Sequence, residues 1–179
     1  MSGSVRVVSG VLCFWREVGS MAKDVDGIVL RDYRESDVER MFRLDESCFA
    51  EEFRFDRRAM RGFAERRGAI TVVAVGGDGE LAGFAIVQVE KCAGGRQGYV
   101  VTLDVAAEWR RRGLAGALMA EEERRAGAAG AGWMALDVFA GNDGAIRFYE
   151  GMGYECVGER RGFYGEGLDG LVYRKGLTG

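Results

Sequence analysis

The sequence predicts a mixed α+β fold: one central, mostly antiparallel sheet with a single parallel strand–helix–strand crossover. Two observations carry this. Ile70–Val75, Leu81–Val89 and Tyr99–Val105 are runs rich in β-branched residues, separated by glycine-rich turns, as in an antiparallel meander. The third run passes through Arg110-Arg-Arg-Gly113 into a helical pattern, and a new apolar run, Trp133–Val138, follows it. A strand, a helix and a second strand in one sheet return in parallel with a right-handed crossover.

The elements follow in order. Ile28–Asp32 reads as a first strand. Ser36-x-x-Glu39 has the form of a capping box ahead of Val38, Met41, Phe42, Leu44 and Asp45 at helical spacing. A second helix is expected over 57–66, with Met60, Phe63 and Ala64 inward. Gly76–Gly79 is a hairpin turn, and Ala93–Gly98 a glycine-rich loop. The helix over 113–126 turns Leu114, Ala117 and Leu118 to the sheet and leaves Glu121 and Arg125 to pair outside. Gly141-Asn142-Asp143 opens a fourth helix, with Ala145, Phe148, Tyr149 and Met152 on one face. Tyr154–Glu159 and Leu171–Lys175 finish as strands around the loop 162–167.

At 179 residues, 47% hydrophobic and 30% charged, the chain fits one folded domain. That domain is placed at 28–179, behind a loosely held extension at 1–27. The apolar run Val7–Trp15 in that extension is too short to span a bilayer. A net charge of −3 gives no general footprint for nucleic acid. Four scattered cysteines, with no C-x-x-C and no histidine, argue against a disulfide framework or a metal site and fit a reducing cytosol. The lack of histidine also excludes Ser-His-Asp and Cys-His chemistry. Proton transfer must then use carboxylate, tyrosine, lysine, cysteine or water.

The turn after Val105 is the first chemical signal. A helix that starts on small residues leaves its first N–H groups open, and its dipole adds positive potential. With three arginines beside it, such a turn suits a phosphate or pyrophosphate. It is neither G-x-x-x-x-G-K-[ST] nor G-x-G-x-x-G. The same residues also serve as a surface arginine cluster with a glycine that only eases packing.

Arg110-x-x-Gly113-x-Ala115 resembles the R/Q-x-x-G-x-G/A signature of the GNAT acyltransferase superfamily. A second block, Leu136-Asp-Val-Phe-Ala-Gly-Asn142-x-x-Ala145-x-x-x-Tyr149-x-x-x-Gly153-Tyr154, is similar to that family's L-x-V-x-x-x-N-x-x-A-x-x-x-Y-x-x-x-G-F pattern. The element order matches as well, over residues 28–176. The resemblance implies acetyl-CoA as co-substrate and no metal. Its implied cofactor residues are Leu103, Val105, Arg110, Arg111, Arg112, Gly113, Leu114, Ala115, Gly116, Asn142, Ala145 and Phe148. Asn142 also reads as a plain N-cap, and Tyr149 as a core aromatic. The family usually has proline where this chain has Ala107.

The resemblance further implies that Tyr149 protonates the leaving thiolate. Within the family the C-terminal segment from Arg161 is similar to RimI-like and protein N-terminal acetyltransferases. That subgroup implies Asp137 in the place of a catalytic glutamate, with Asp104 and Glu51 as rival bases. It also implies that the aromatic pair Phe163 and Tyr164 closes over the substrate; Phe49 and Glu51, from the aromatic and acidic stretch 49–55, are further substrate-binding candidates. Alternation sets Asp137 on the sheet face opposite Leu136 and Val138. The four cysteines lie outside both motifs in sequence, which disfavours a covalent cysteine.

The expected activity is direct acetyl transfer from acetyl-CoA to a primary amine, first a protein or peptide α-amine, in a cytoplasmic monomer or homodimer. A small-molecule amine (polyamine, amino acid or antibiotic) is the second substrate reading. A non-catalytic acyl-CoA sensor is the rival from another class. Neither nucleic acid nor membrane is expected as a partner.

Overall fold

The computed structural model describes residues 27–177, so all of the expected extension but Gly27 lies outside the described residues. Among the described residues seven strands form one sheet: β1 (Ile28–Asp32), β2 (Ala69–Gly76), β3 (Leu81–Cys92), β4 (Gly95–Val105), β5 (Trp133–Phe139), β6 (Glu155–Gly165) and β7 (Leu168–Gly176). Their order is β1-β2-β3-β4-β5-β7-β6. All neighbours are antiparallel except β4 and β5, as the crossover predicts.

Four helices cover the sheet: α1 (Val38–Cys48), α2 (Arg57–Ala64), α3 (Leu114–Ala128) and α4 (Asp143–Gly151). One core layer joins Leu103, Val105, Leu114, Leu118, Leu136, Val138 and Tyr149. The other joins Met41, Met60 and Ala64 to Phe84, Ile86 and Val101. A bulge in β4, where Ile86 pairs with Thr102 but Val87 with Val100, shifts the alternation at Val101.

The parallel β4–β5 ladder is short. Its only rungs are Gln97–Trp133, Gly98–Met134 and Tyr99–Ala135. Beyond them the strands separate. Val100–Val105 and Leu136–Phe139 therefore present unpaired strand edges to each other across a wedge.

Several boundaries differ from the sequence reading. The capping box at Ser36 does not form: Ser36 is exposed, and Asp37 Oδ2 accepts the Arg34 N–H at 2.9 Å instead. Asp37 is the better acceptor because Arg31 and Arg40 also bind its carboxylate, which they hold at a pKa of about 2 against the cost of burial. Helix α2 stops at Ala64. The expected loop 93–98 shrinks to a two-residue turn, with Cys92 pairing Gly95 across it. Likewise β6 and β7 run through most of 162–167, and a bulge between Arg160 and Gly165 absorbs the extra residues.

Candidate active site

At the first turn of α3 the backbone prepares an anion site. Gly113 is the N-cap residue, with φ +86° and no side-chain cap, and Arg111 sits at φ 60°. An added Cβ at Gly113 would meet no atom within 4 Å, so glycine is needed there for its left-handed backbone, not for space. The first-turn amides are open, and Ala115 and Gly116 set little bulk before them. This arrangement fits a pyrophosphate.

The arginines divide. Arg112 lies over the Trp109 ring at 5.1 Å, and both Arg111 and Arg112 are exposed. Arg110 turns inward: its Nε donates to the Val105 carbonyl at 3.0 Å and its Nη2 to Cys48 Sγ at 3.5 Å. Arg110 thus fastens the end of β4 to α1 and adds only its charge and backbone to the turn. Cys48, though remote in sequence, therefore does lie beside the first motif. Burial, helped by Asp104, pushes its thiol up to about 11. The protonated thiol is a poor nucleophile.

The second motif lines the wedge from α4. Asn142 Oδ1 accepts the Ala145 N–H at 3.0 Å, the N-cap geometry expected from its position. Ala145 and Phe148 are buried on the inner face of α4. Tyr149 is fully buried, with Phe148 and Tyr154 ring centroids 5.1 Å and 5.4 Å away. Leu103, Val105 and Leu114 share its core layer.

On the opposite face lies a hydrogen-bonded tyrosine–carboxylate pair. Asp137 projects away from Leu136 and Val138, as alternation predicts, and Tyr99 Oη donates to its Oδ2 at 2.6 Å. Tyr164 Oη donates to the Asp137 carbonyl at 2.9 Å. Arg160 Nε stands 3.4 Å from Asp137 Oδ1. Burial raises the Asp137 pKa, while Tyr99 and then Arg160 pull it back. Burial and the nearby carboxylate drive the Tyr99 phenol far up, so it stays a donor. Tyr164 is raised chiefly by burial, next by Asp137 and then by Tyr149, while Arg160 pulls it back.

An aromatic wall stands next to this pair. Phe49 and Tyr164 are buried together, with Phe53, Phe139 and Phe163 packed around them. Phe163 meets Tyr164 edge-on at 4.9 Å. A Cβ at Gly170 would lie 3.2 Å from the Phe163 side chain, so the glycine makes room for this ring. Glu51 is exposed at the start of a 3₁₀ turn, Glu51–Phe53, beside the wall.

Of the rival bases, Asp104 is sealed under α1. It accepts from Thr102 Oγ1 at 2.8 Å, and burial with Asp45 drives its pKa well up. Sequence reasoning missed Tyr99, Arg160, Phe53 and Phe139. Tyr99 and Asp137 come together only through the β4–β5 register, which no local pattern encodes. Among the described residues no cluster of His, Cys, Asp or Glu is arranged to hold a metal, and no helix is long and apolar enough to cross a membrane.

Comparison with known proteins agrees with this geometry. Residues 31–154 match the model of the Acetyltransferase (GNAT) family. The chain belongs to that family and is an acetyltransferase by class. It resembles Arabidopsis thaliana NAA60, solved with a bisubstrate analogue, at 26% identity and a TM-score of 0.73, covering 85% of this chain and 99% of that one. The same plant protein has been solved with acetyl-CoA. The Escherichia coli ribosomal-protein-S18-alanine N-acetyltransferase shares the fold at 19% identity and a TM-score of 0.73, over 85% of this chain and 95% of its own. A nourseothricin acetyltransferase does so at 23% and 0.68, over 85% and 99%. No match was found among curated proteins.

Proposed function

We propose that this protein transfers an acetyl group directly from acetyl-CoA to a primary amine, with a protein or peptide α-amine as the favoured acceptor. The observation that carries the reading is the Tyr99–Asp137 pair where β4 and β5 begin to part, beside the aromatic wall of Phe49, Phe163 and Tyr164. The resemblance to a plant NAA60 solved with a bisubstrate analogue supports it.

The α3 turn, from Arg110 to Gly116, holds the pyrophosphate through backbone amides, and the exposed Arg111 and Arg112 add charge. Leu103, Val105, Leu114, Ala145 and Phe148 line the wedge, with Asn142 at the head of α4. Acetyl-CoA supplies the thioester acetyl group. Asp137 takes a proton from the acceptor nitrogen, directly or through one water, which frees the lone pair for attack. A raised carboxylate pKa suits this role because it strengthens the base. Tyr99 holds the carboxylate in place. Tyr149 gives its phenolic proton to the departing sulfur, and no acyl-enzyme is needed.

Glu51 and Glu52, exposed beside the aromatic wall, favour a second acceptor class of small cationic amines. Glu51→Gln with Glu52→Gln raises KM for a polyamine if that class is the true one, and leaves it unchanged for a neutral-flanked peptide.

The deciding experiment is a calorimetric titration with acetyl-CoA, followed by thiol release against a panel of peptides and polyamines. Binding with release on one amine class establishes the transferase and its acceptor. Binding without release on any amine favours a sensor. Absence of binding refutes the assignment of the Arg110–Gly116 turn.

A further inference from the structure

The two oxygens of Asp137 are held unequally. Oδ2 takes the 2.6 Å hydrogen bond of Tyr99. Oδ1 is buried without a hydrogen-bond partner, and the cation set against it is Arg160, with Nε at 3.4 Å. That separation is loose for an arginine–carboxylate contact. In the same protein Arg31 reaches Asp37 at 2.6 Å.

Arg160 approaches from the solvent side. Its side chain is 52% exposed where that of Asp137 is 0%. Its guanidinium lies over the Phe163 ring, 5.4 Å from the centroid. It is mounted on the exposed edge strand β6, at the start of the bulge that ends at Gly165. A cation thus rests between the buried carboxylate and an aromatic face, in the position an acceptor amine must occupy to give its proton to Asp137.

We propose that Arg160 is an internal stand-in for the acceptor's ammonium, and that a cationic amine displaces it from Asp137 Oδ1 on binding. The exchange is favourable on physical grounds. Arg160 is half exposed and its contact with Asp137 is long, so an incoming ammonium replaces a weak partner without leaving the buried carboxylate uncompensated. A buried oxygen without a hydrogen bond is costly, and a compact ammonium with three donors satisfies it where the guanidinium does not. The Phe163 ring accepts either cation. Arg160 then sets the charge preference of the acceptor site, because an uncharged group has no means of evicting it. This inference rests on the transferase reading only in taking Asp137 as the residue that meets the amine.

The groups facing Asp137 are Tyr99 from β4 and Arg160 and Tyr164 from β6, with Tyr149 from α4 acting on Tyr164. Arg160 is the charged one among them, and its removal leaves Asp137 with less to stabilise its anion.

Wild-type protein, Arg160→Gln and Arg160→Lys are compared with CoA bound, by calorimetric titration with a short peptide bearing a free α-amine. Carbon NMR titration of the Asp137 carboxyl in the unliganded proteins is the second readout. Arg160→Gln is expected to bind the peptide about two- to fivefold more tightly, the size of a surface ion pair. Its Asp137 midpoint moves to higher pH, and Arg160→Lys returns both values toward wild type. Weaker or unchanged binding in Arg160→Gln, no binding in any of the three, or an unmoved midpoint overturns the proposal. Thiol release is followed separately: binding that behaves as stated without release overturns the transferase reading instead.

Discussion

Tyr99 and Asp137 meet at 2.6 Å from strands that part immediately beyond the Tyr99–Ala135 rung. The hydrogen bond favours the ionised carboxylate, opposing the burial that raises its pKa. In the proposed mechanism activity depends on that ionised form, so the acid limb of the rate is expected above the usual carboxylate range. Tyr99→Phe removes a donor that lowers the pKa, and the limb moves further up. Asp137→Asn lowers kcat by about 10²–10⁴-fold. The pH dependence of thiol release checks both, with CoA affinity within about twofold of wild type as the control.

Tyr149→Phe keeps the ring that packs on Phe148 and Tyr154 and removes only the hydroxyl. Turnover is expected to fall by about 10²-fold or more while acetyl-CoA affinity holds. A protein that only senses acyl-CoA has no turnover to lose, and titration beside thiol release separates the two.

Gly113→Ala places a Cβ in open space but on a backbone at φ +86°. The strain is about 1–2 kcal/mol and is relieved by rotating the turn, which misaims the first-turn amides. Acetyl-CoA affinity is expected to drop about tenfold, the equivalent of about 1.4 kcal/mol. Calorimetry measures the affinity, and urea unfolding the strain.

Asp45 is buried on the inner face of α1, where its Oδ2 accepts the Phe55 N–H at 3.0 Å, and burial lifts its pKa from 3.8 to about 6. A carboxyl held above its unfolded value contributes stability that is complete below about pH 4 and is lost as pH rises through about 6. Asp104 and Glu122, also driven up by burial, act in the same direction. Asp45→Asn is expected to lose less stability than wild type between pH 4 and pH 7.5, as read from urea midpoints.

Much of the fold was legible because its signals are local. Leu114 and Leu118, Met60 and Ala64, and the alternation of Leu136, Asp137 and Val138 lie where periodicity puts them. The pair Glu121–Arg125 forms at 2.6 Å, as their spacing predicts. The two motifs marked the turn at Gly113 and the head of α4 at Asn142. Tyr99, Arg160, Phe53 and Phe139 were not legible because each acquires its meaning from a partner on another element. Tyr99 needs the parallel register, Arg160 the fold of the last hairpin, and Phe53 and Phe139 the docking of the α1–α2 segment. Ser36 misled because the local cap is built one residue on, where Asp37 accepts the Arg34 N–H with two arginines behind it.

The three-rung contact between β4 and β5 has a mechanical consequence. The sheet is two panels, β1 to β4 and β5 to β7, stitched at one end and free at the other. Backbone amides along the free margins exchange with solvent in the empty protein, since no neighbouring strand shields them. A molecule lying in the gap becomes the missing spine of the sheet, and its departure reopens the seam. In the proposed transferase that molecule is the co-substrate, which is then also a structural part renewed at every turnover, so that the stiffness of the protein follows the acetyl-CoA supply around it.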